Sequence, residues 1–330
     1  MSADAAKDTT VSAPGKLFLI GEYGVLHGHH AVVAAVDRRV TGRFVPGAAP
    51  ATPLVDKVVE AVRAYLLEDG GTPPDGAPEL DSSALASDAG KLGIGSSAAV
   101  AAAGVGAMLE AAGCDVEYTQ ALAFRLAHRA HRAFQGGLGS GADVAAAVYG
   151  GVLSYARRDA DVDVQPLDLP PGIEVIVFST GTASSTVDHV RALETTVESE
   201  REARRKRLAA IGAVAADFVV ACANEDARAA VDAAARANAQ LAALGDLIGL
   251  PIVTPPVAEA AKLAESLGGA AKPSGAGGGD VGVAFLTDRG AVETFRQRAA
   301  HFGLEILSIR TGADGLRREP SGRERNHVQE

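Results

Sequence analysis

Two early stretches, residues 16–20 and 31–45, carry strand-forming apolar residues, and a loop containing Gly and His separates them at 21–30. This order predicts a hairpin-like opening. From 54 to 67 the apolar residues recur at helical spacing, and a Pro- and Gly-rich loop is expected at 70–78. Residues 96–112 are small and apolar on nearly every face, which predicts a helix packed on all sides. A further helix is expected at 118–134, then a glycine-rich turn at 136–141 and a helix start at 142–149. Short runs rich in β-formers predict strands at 152–156 and 173–179. The pattern from 184 to 245 is almost wholly helical, and its dense charge run at 194–207 reads as a solvated face. The last third predicts a helix at 257–267, a glycine-rich loop at 274–279, a strand at 281–286, a helix at 291–302 and a strand at 304–308.

Helices and strands alternate without a strict βαβ series, so the expected fold class is α+β in two layers. The chain has 330 residues, more than one core commonly serves, since single cores stop growing at roughly 250–300 residues. Two domains are therefore expected, at 1–180 and 181–310, followed by a polar, charged tail at 311–330 read as disordered. Composition changes the picture mainly by exclusion. With 47% hydrophobic and 22% charged residues the chain is globular, and Cys114 and Cys222, its only cysteines, have no metal-like spacing. That points to a reducing compartment. A formal charge of −10 argues against nucleic acid or an anionic membrane as partner, so an anionic ligand would need a local basic site. No signal-like N-terminus and no apolar run of about 18 residues is present, and the expected location is the cytoplasm.

Candidate chemistry gathers in three glycine-rich segments. The first, Lys91-Leu92-Gly93-Ile94-Gly95-Ser96-Ser97-Ala98, joins a loop to a strongly helical run. Glycines let amides converge, and a helix N-terminus adds unpaired N–H groups, so a phosphate chain fits there. Ser96 and Ser97 could equally be ordinary helix caps. The lysine precedes the glycines, so this is not a Walker loop. The second segment, Gly136-Gly137-Leu138-Gly139-Ser140-Gly141-Ala142-Asp143, sets one carboxylate in an apolar, glycine-lined setting. Asp143 is either an N-terminal helix residue favoured by the dipole or an acid–base group. Lys16, after Ala13-Pro14-Gly15, is the candidate partner for it. The third segment, Lys272-Pro273-Ser274-Gly275-Ala276-Gly277-Gly278-Gly279-Asp280, holds more glycine than a turn needs and could offer amides to an anion.

These segments in this order, with Ala13-Pro14-Gly15-Lys16 and Gly21-Glu22-Tyr23 ahead of them, resemble the GHMP kinases over roughly residues 11–310. The resemblance implies two α+β domains with ATP and substrate in the cleft between them. It further implies that Gly93, Gly95, Ser96, Ser97 and Ala98 cradle ATP, with Ser97 touching Mg²⁺; Lys91, directly before this loop, would serve either ATP or an extra anionic group of the acceptor. Asp143 and Lys16 would be the catalytic pair, Asp143 either accepting a proton or orienting the acceptor. Glu22, Tyr23, Ser140, Gly277, Gly278 and Gly279 would meet a small anionic substrate.

Within the family, the stretches 139–150 and 268–280 are most similar to the phosphomevalonate kinases, and 128–135 lacks the acid that mevalonate kinases usually carry. The expected reaction is phosphorylation of 5-phosphomevalonate to 5-diphosphomevalonate. The alternatives are phosphorylation of mevalonate, the ATP-dependent decarboxylase of the same superfamily, and a silent ligand sensor. Lys16 and Asp143 are both present and no basic arm is visible, which argues against the sensor. His27, His29 and His30 read as loop or substrate-rim residues, and a homodimer is compatible with the sequence.

Overall fold

A computed structural model of the chain describes residues 9–320, apart from 88–89, 159–160, 183, 185 and 196–197. The opening strands β1 (Thr10–Ile20) and β2 (Ala31–Pro46) pair antiparallel, with register shifts between Pro14 and Lys16 and between Phe18 and Ile20. Such shifts bend a strand and re-aim its side chains. Helix α1 (Pro53–Glu68) follows; Thr52 accepts from the Val55 amide and Pro53 takes the first turn, where its missing N–H costs nothing. Next come β3 (Gly76–Asp81), the short ribbon β4 (Ala86–Ser87) and β5 (Gly90–Lys91), and the helices α2 (Ser96–Ala111), α3 (Gln120–Phe134) and α4 (Ala142–Tyr149). Strands β6 (Val152–Arg158) and β7 (Asp161–Pro166) complete this half. Alanine and glycine along α2 let it lie close to β1 and β2 with α3 and α4 beside it, which is why it shows no polar stripe.

The second half contains β8 (Glu174–Ser179), α5 (Thr186–Glu194), α6 (Arg201–Ala223), α7 (Ala227–Ile248), α8 (Pro255–Ser266), β9 (Ala270–Pro273), β10 (Val281–Leu286), α9 (Arg289–Ala299) and β11 (Glu305–Leu307). Its sheet has the order β11-β8-β10-β9. A core of Phe178, Leu263, Leu286 and Phe295 lies under α8 and α9. On the other face, α6 and α7 close the gap to the first sheet, with Phe218 and Phe285 edge to face at 5.9 Å.

A closing strand, β12 (Arg317–Arg318), returns to β1, so the first sheet runs β12-β1-β2-β6-β7 with β3 also on β2. Two expectations are corrected here. Residues 174–179, placed in the first domain by a division near Gly181, pair in the second sheet, so the division lies between β7 and β8. The described part of the tail, 311–320, is built into the fold. Leu316 is buried, the Arg39 guanidinium donates to the Asp314 and Gly315 carbonyls at 2.6 Å each, and Arg318 pairs with Glu110 at 2.7 Å. Polar composition suggested solvation, but here the polar groups find partners within the fold. The remainder of the tail, 321–330, lies outside the described residues. Strands β7 and β9 had no expectation, and β3 takes the end of the loop expected at 70–78. Among the described residues no helix is long and apolar enough to cross a membrane.

Candidate active site

The first turn of α2 sets the site. Gly95 precedes the helix with φ +81°, a left-handed conformation that suits glycine, and the first helical bond is Ala99 N to Gly95 O at 3.2 Å. The amides of Ser96, Ser97 and Ala98 therefore have no partner inside the helix. No side chain caps this end. The capping alternative for the two serines is thus not what the structure contains. A Cβ on Gly95 would stand 2.7 Å from Lys16 Cγ, so the lysine stem runs directly against the helix start. A Cβ on Gly93 would stand 2.3 Å from Asp280 Cβ, so the end of the third glycine segment packs against the first.

Between these segments lies a cavity of about 500 Å³. Lys91, Gly93, Gly95, Ser96 and Ser97 form one wall; Lys16, Glu22, Tyr23, Ser140 and Asp143 also line it. Ala98 is buried behind that wall. Gly277, Gly278 and Gly279 are not among the residues that line the cavity. The Gly278 amide is spent on Ile252 O at 2.9 Å, and the run packs against Ile252 and His189. From the same segment Ser274, Gly275, Ala276 and Asp280 line the cavity.

Lys16 is only 8% exposed, and its Nζ lies 5.2 Å above the Phe18 ring. Burial lowers its pKa from the ordinary 10.5, while the carboxylates of Asp143, Asp280 and Glu22 act in the opposite direction. Asp143 sits in the first turn of α4, where Oδ1 accepts from the Val144 amide at 2.9 Å and Oδ2 lies 3.9 Å from His131 Nδ1. Lys16 and Asp143 are coupled through the field and form no direct ion pair. The backbone at or near each is pinned. The Lys16 amide donates to Ile94 O at 2.7 Å, and the Tyr155 hydroxyl donates to Ser140 O at 2.6 Å.

Three further polar groups escaped the sequence analysis. Lys272, fully buried, pairs with Glu22 and donates to Pro273 O at 2.6 Å; burial lowers its pKa and Glu22 counters this. The sequence signal was a lysine inside the apolar run Ala270-Ala271-Lys272-Pro273. Asp280, at the end of the glycine run, has its pKa raised by burial against the Ser184 amide and Lys16. His131 was hidden on the apolar face of α3 with Phe124 and Ala127. Tyr23 donates to Ala276 O and Ser274 Oγ accepts from the Phe18 amide at 2.9 Å, so the third segment is tied to β1 and its loop. Ser184 lines the cavity, while Ser185 and the Thr186 side chain lie outside the described residues. His27, His29 and His30 do not gather into a metal-ligating group among the described residues.

Gly95→Val should weaken nucleotide affinity at least about tenfold, because the new side chain meets Lys16 and strains a left-handed position. Titration of a non-hydrolysable ATP analogue measures it. Unchanged affinity would remove the nucleotide from this wall.

The arrangement is that of a phosphotransferase: helix-start amides for phosphates, a buried lysine for developing charge, and a carboxylate across the cavity. The family model for the GHMP kinases N terminal domain matches residues 57–151, and that for the GHMP kinases C terminal matches 206–303. The chain is 31% identical to the phosphomevalonate kinase of Streptomyces sp. (strain CL190), over 92% of this chain and 97% of the relative. It belongs to the GHMP kinases and is a phosphotransferase. A mevalonate kinase of Aeropyrum pernix is 29% identical over 55% of this chain and 61% of its own length. Among solved structures, Streptococcus pneumoniae phosphomevalonate kinase in complex with phosphomevalonate and AMPPNP superposes with a TM-score of 0.80. It shares 20% identity, covering 92% of this chain and 99% of that one, and so speaks for the fold.

Proposed function

We propose that this kinase transfers the γ-phosphoryl group of ATP to 5-phosphomevalonate, giving 5-diphosphomevalonate and ADP in the mevalonate pathway. The observation that carries the reading is 31% identity to a phosphomevalonate kinase across nearly the whole of both chains. The site supports it. Amides of the α2 start and Lys91 receive the nucleotide phosphates, and Lys16 stabilises charge on the group in flight. The acceptor phosphate is already largely ionised near neutral pH, so Asp143 chiefly orients it; with an alcohol acceptor the same carboxylate would take the proton. One acceptor oxygen bonds to the γ-phosphorus as its bond to the β-γ bridging oxygen breaks.

The oxygen donors present suit Mg²⁺, which binds through one or two protein oxygens together with substrate phosphates. The Ser97 hydroxyl would hold it, and when bound the ion neutralises phosphate charge.

The test is ADP release with phosphomevalonate, mevalonate, galactose and homoserine compared side by side. Phosphomevalonate should give the highest kcat/KM. A preference for mevalonate would favour the second reading, which the Aeropyrum relative supports. The pH profile offers another check. Since burial lowers the Lys16 pKa, its ammonium is lost as pH rises through a value below 10.5, and kcat/KM should fall there. Bound polyanions favour the ammonium, so the same limb in kcat should lie at higher pH. A kcat/KM limb at or above 10.5 would show that Lys16 is not the group required.

A further inference from the structure

One helix contributes a buried ring between the two halves of this site. His131 is 2% exposed, its Nε2 lies 3.0 Å from Ser97 Oγ, and its Nδ1 lies 3.9 Å from Asp143 Oδ2. A buried imidazole needs its nitrogens matched to their neighbours. One neutral tautomer does so at both ends. With hydrogen on Nδ1, the ring offers N–H towards the carboxylate and keeps the Nε2 lone pair for the Ser97 hydroxyl proton. The other tautomer would aim a lone pair at a carboxylate and turn the serine into an acceptor. In the favoured arrangement Ser97 donates to His131, and its oxygen lone pairs are left for the cavity.

We propose that His131 is a positioning residue, orienting Ser97 as an oxygen donor to the cation–phosphate group and linking that orientation to Asp143. The nucleotide side and the acceptor side of the site are then set by one ring. The proposal deepens the kinase reading given above and rests on it. It also gives a reason for a histidine on the apolar face of α3.

The experiment compares wild type with Ser97→Ala, His131→Leu, His131→Gln and the Ser97→Ala/His131→Leu double variant. Affinity for AMPPNP is titrated with and without Mg²⁺, thermal melts confirm folding, and kcat and KM for ATP are measured with phosphomevalonate. His131→Leu should cut the Mg²⁺-dependent gain in affinity by about tenfold, the scale of one misdirected polar contact, and lower kcat more than it changes KM. His131→Gln, whose amide oxygen can reach the Nε2 position, should recover most of that gain. The double variant should be no worse than Ser97→Ala. Should His131→Leu fail to fold, His131→Asn replaces it, its amide being too short to reach Ser97, with the same loss expected.

Multiplying losses in the double variant, or a folded His131→Leu or His131→Asn with the wild-type gain, would overturn the proposal. A wild type inactive on phosphomevalonate would instead remove the substrate reading. The binding cycle would still decide the role of His131.

Discussion

Asp143→Asn is expected to lower kcat by on the order of 10²-fold or more while the protein stays folded, since the change removes charge and keeps shape. Lys16→Met should do the same. Methionine can follow the lysine stem past Gly95 and Phe18, so the loss would come from charge rather than packing. The two groups share one field, and the double variant should be no worse than the poorer single one. Steady-state kinetics on the three variants checks this. Strictly multiplying losses would show independent action, and full activity in Asp143→Asn would make the carboxylate structural.

The second large effect is expected on stability. Lys272→Met leaves the Glu22 carboxylate buried without its cation, and Glu22 Oε2 already has no partner. Breaking such a pair costs about 3–5 kcal/mol, enough to threaten folding of a marginally stable chain. Denaturant unfolding measures the loss. Adding Glu22→Gln should return part of it, because the orphaned group is then neutral. A loss below about 1 kcal/mol for Lys272→Met alone would mean that water reaches Glu22. Because the pair joins β9 to the loop after β1, this variant should also loosen the cavity wall that Glu22 and Tyr23 share.

Much of this molecule was legible along the chain because the signals were local. The apolar spacing of 54–67, the small-residue run of 96–112 and the glycine segments each depend on neighbours in sequence, and helices or loops stand there. Ser97 and Asp143 could be singled out because glycine segments precede them, and Lys16 through the order of motifs that resembles the GHMP kinases. Where the chain had to be matched with distant parts of itself, the reading failed. Nothing local says that 174–179 pairs with 281–286 rather than with the strands before it, or that Leu316 anchors a charged tail on the first sheet.

The same division runs through the site. By itself the sequence determined the helix start and the amide-rich loops, because positive φ and unpaired amides are properties of a few consecutive residues, while the catalytic candidates came from the resemblance to the GHMP kinases. Only tertiary structure decided that Asp280 closes on Gly93, that Lys272 meets Glu22 and that His131 stands between Ser97 and Asp143. It also set Gly277 and Gly278 against Ile252 and His189. These contacts join residues up to 250 positions apart, and they arise from burial and from the matching of charge and hydrogen bonds in three dimensions.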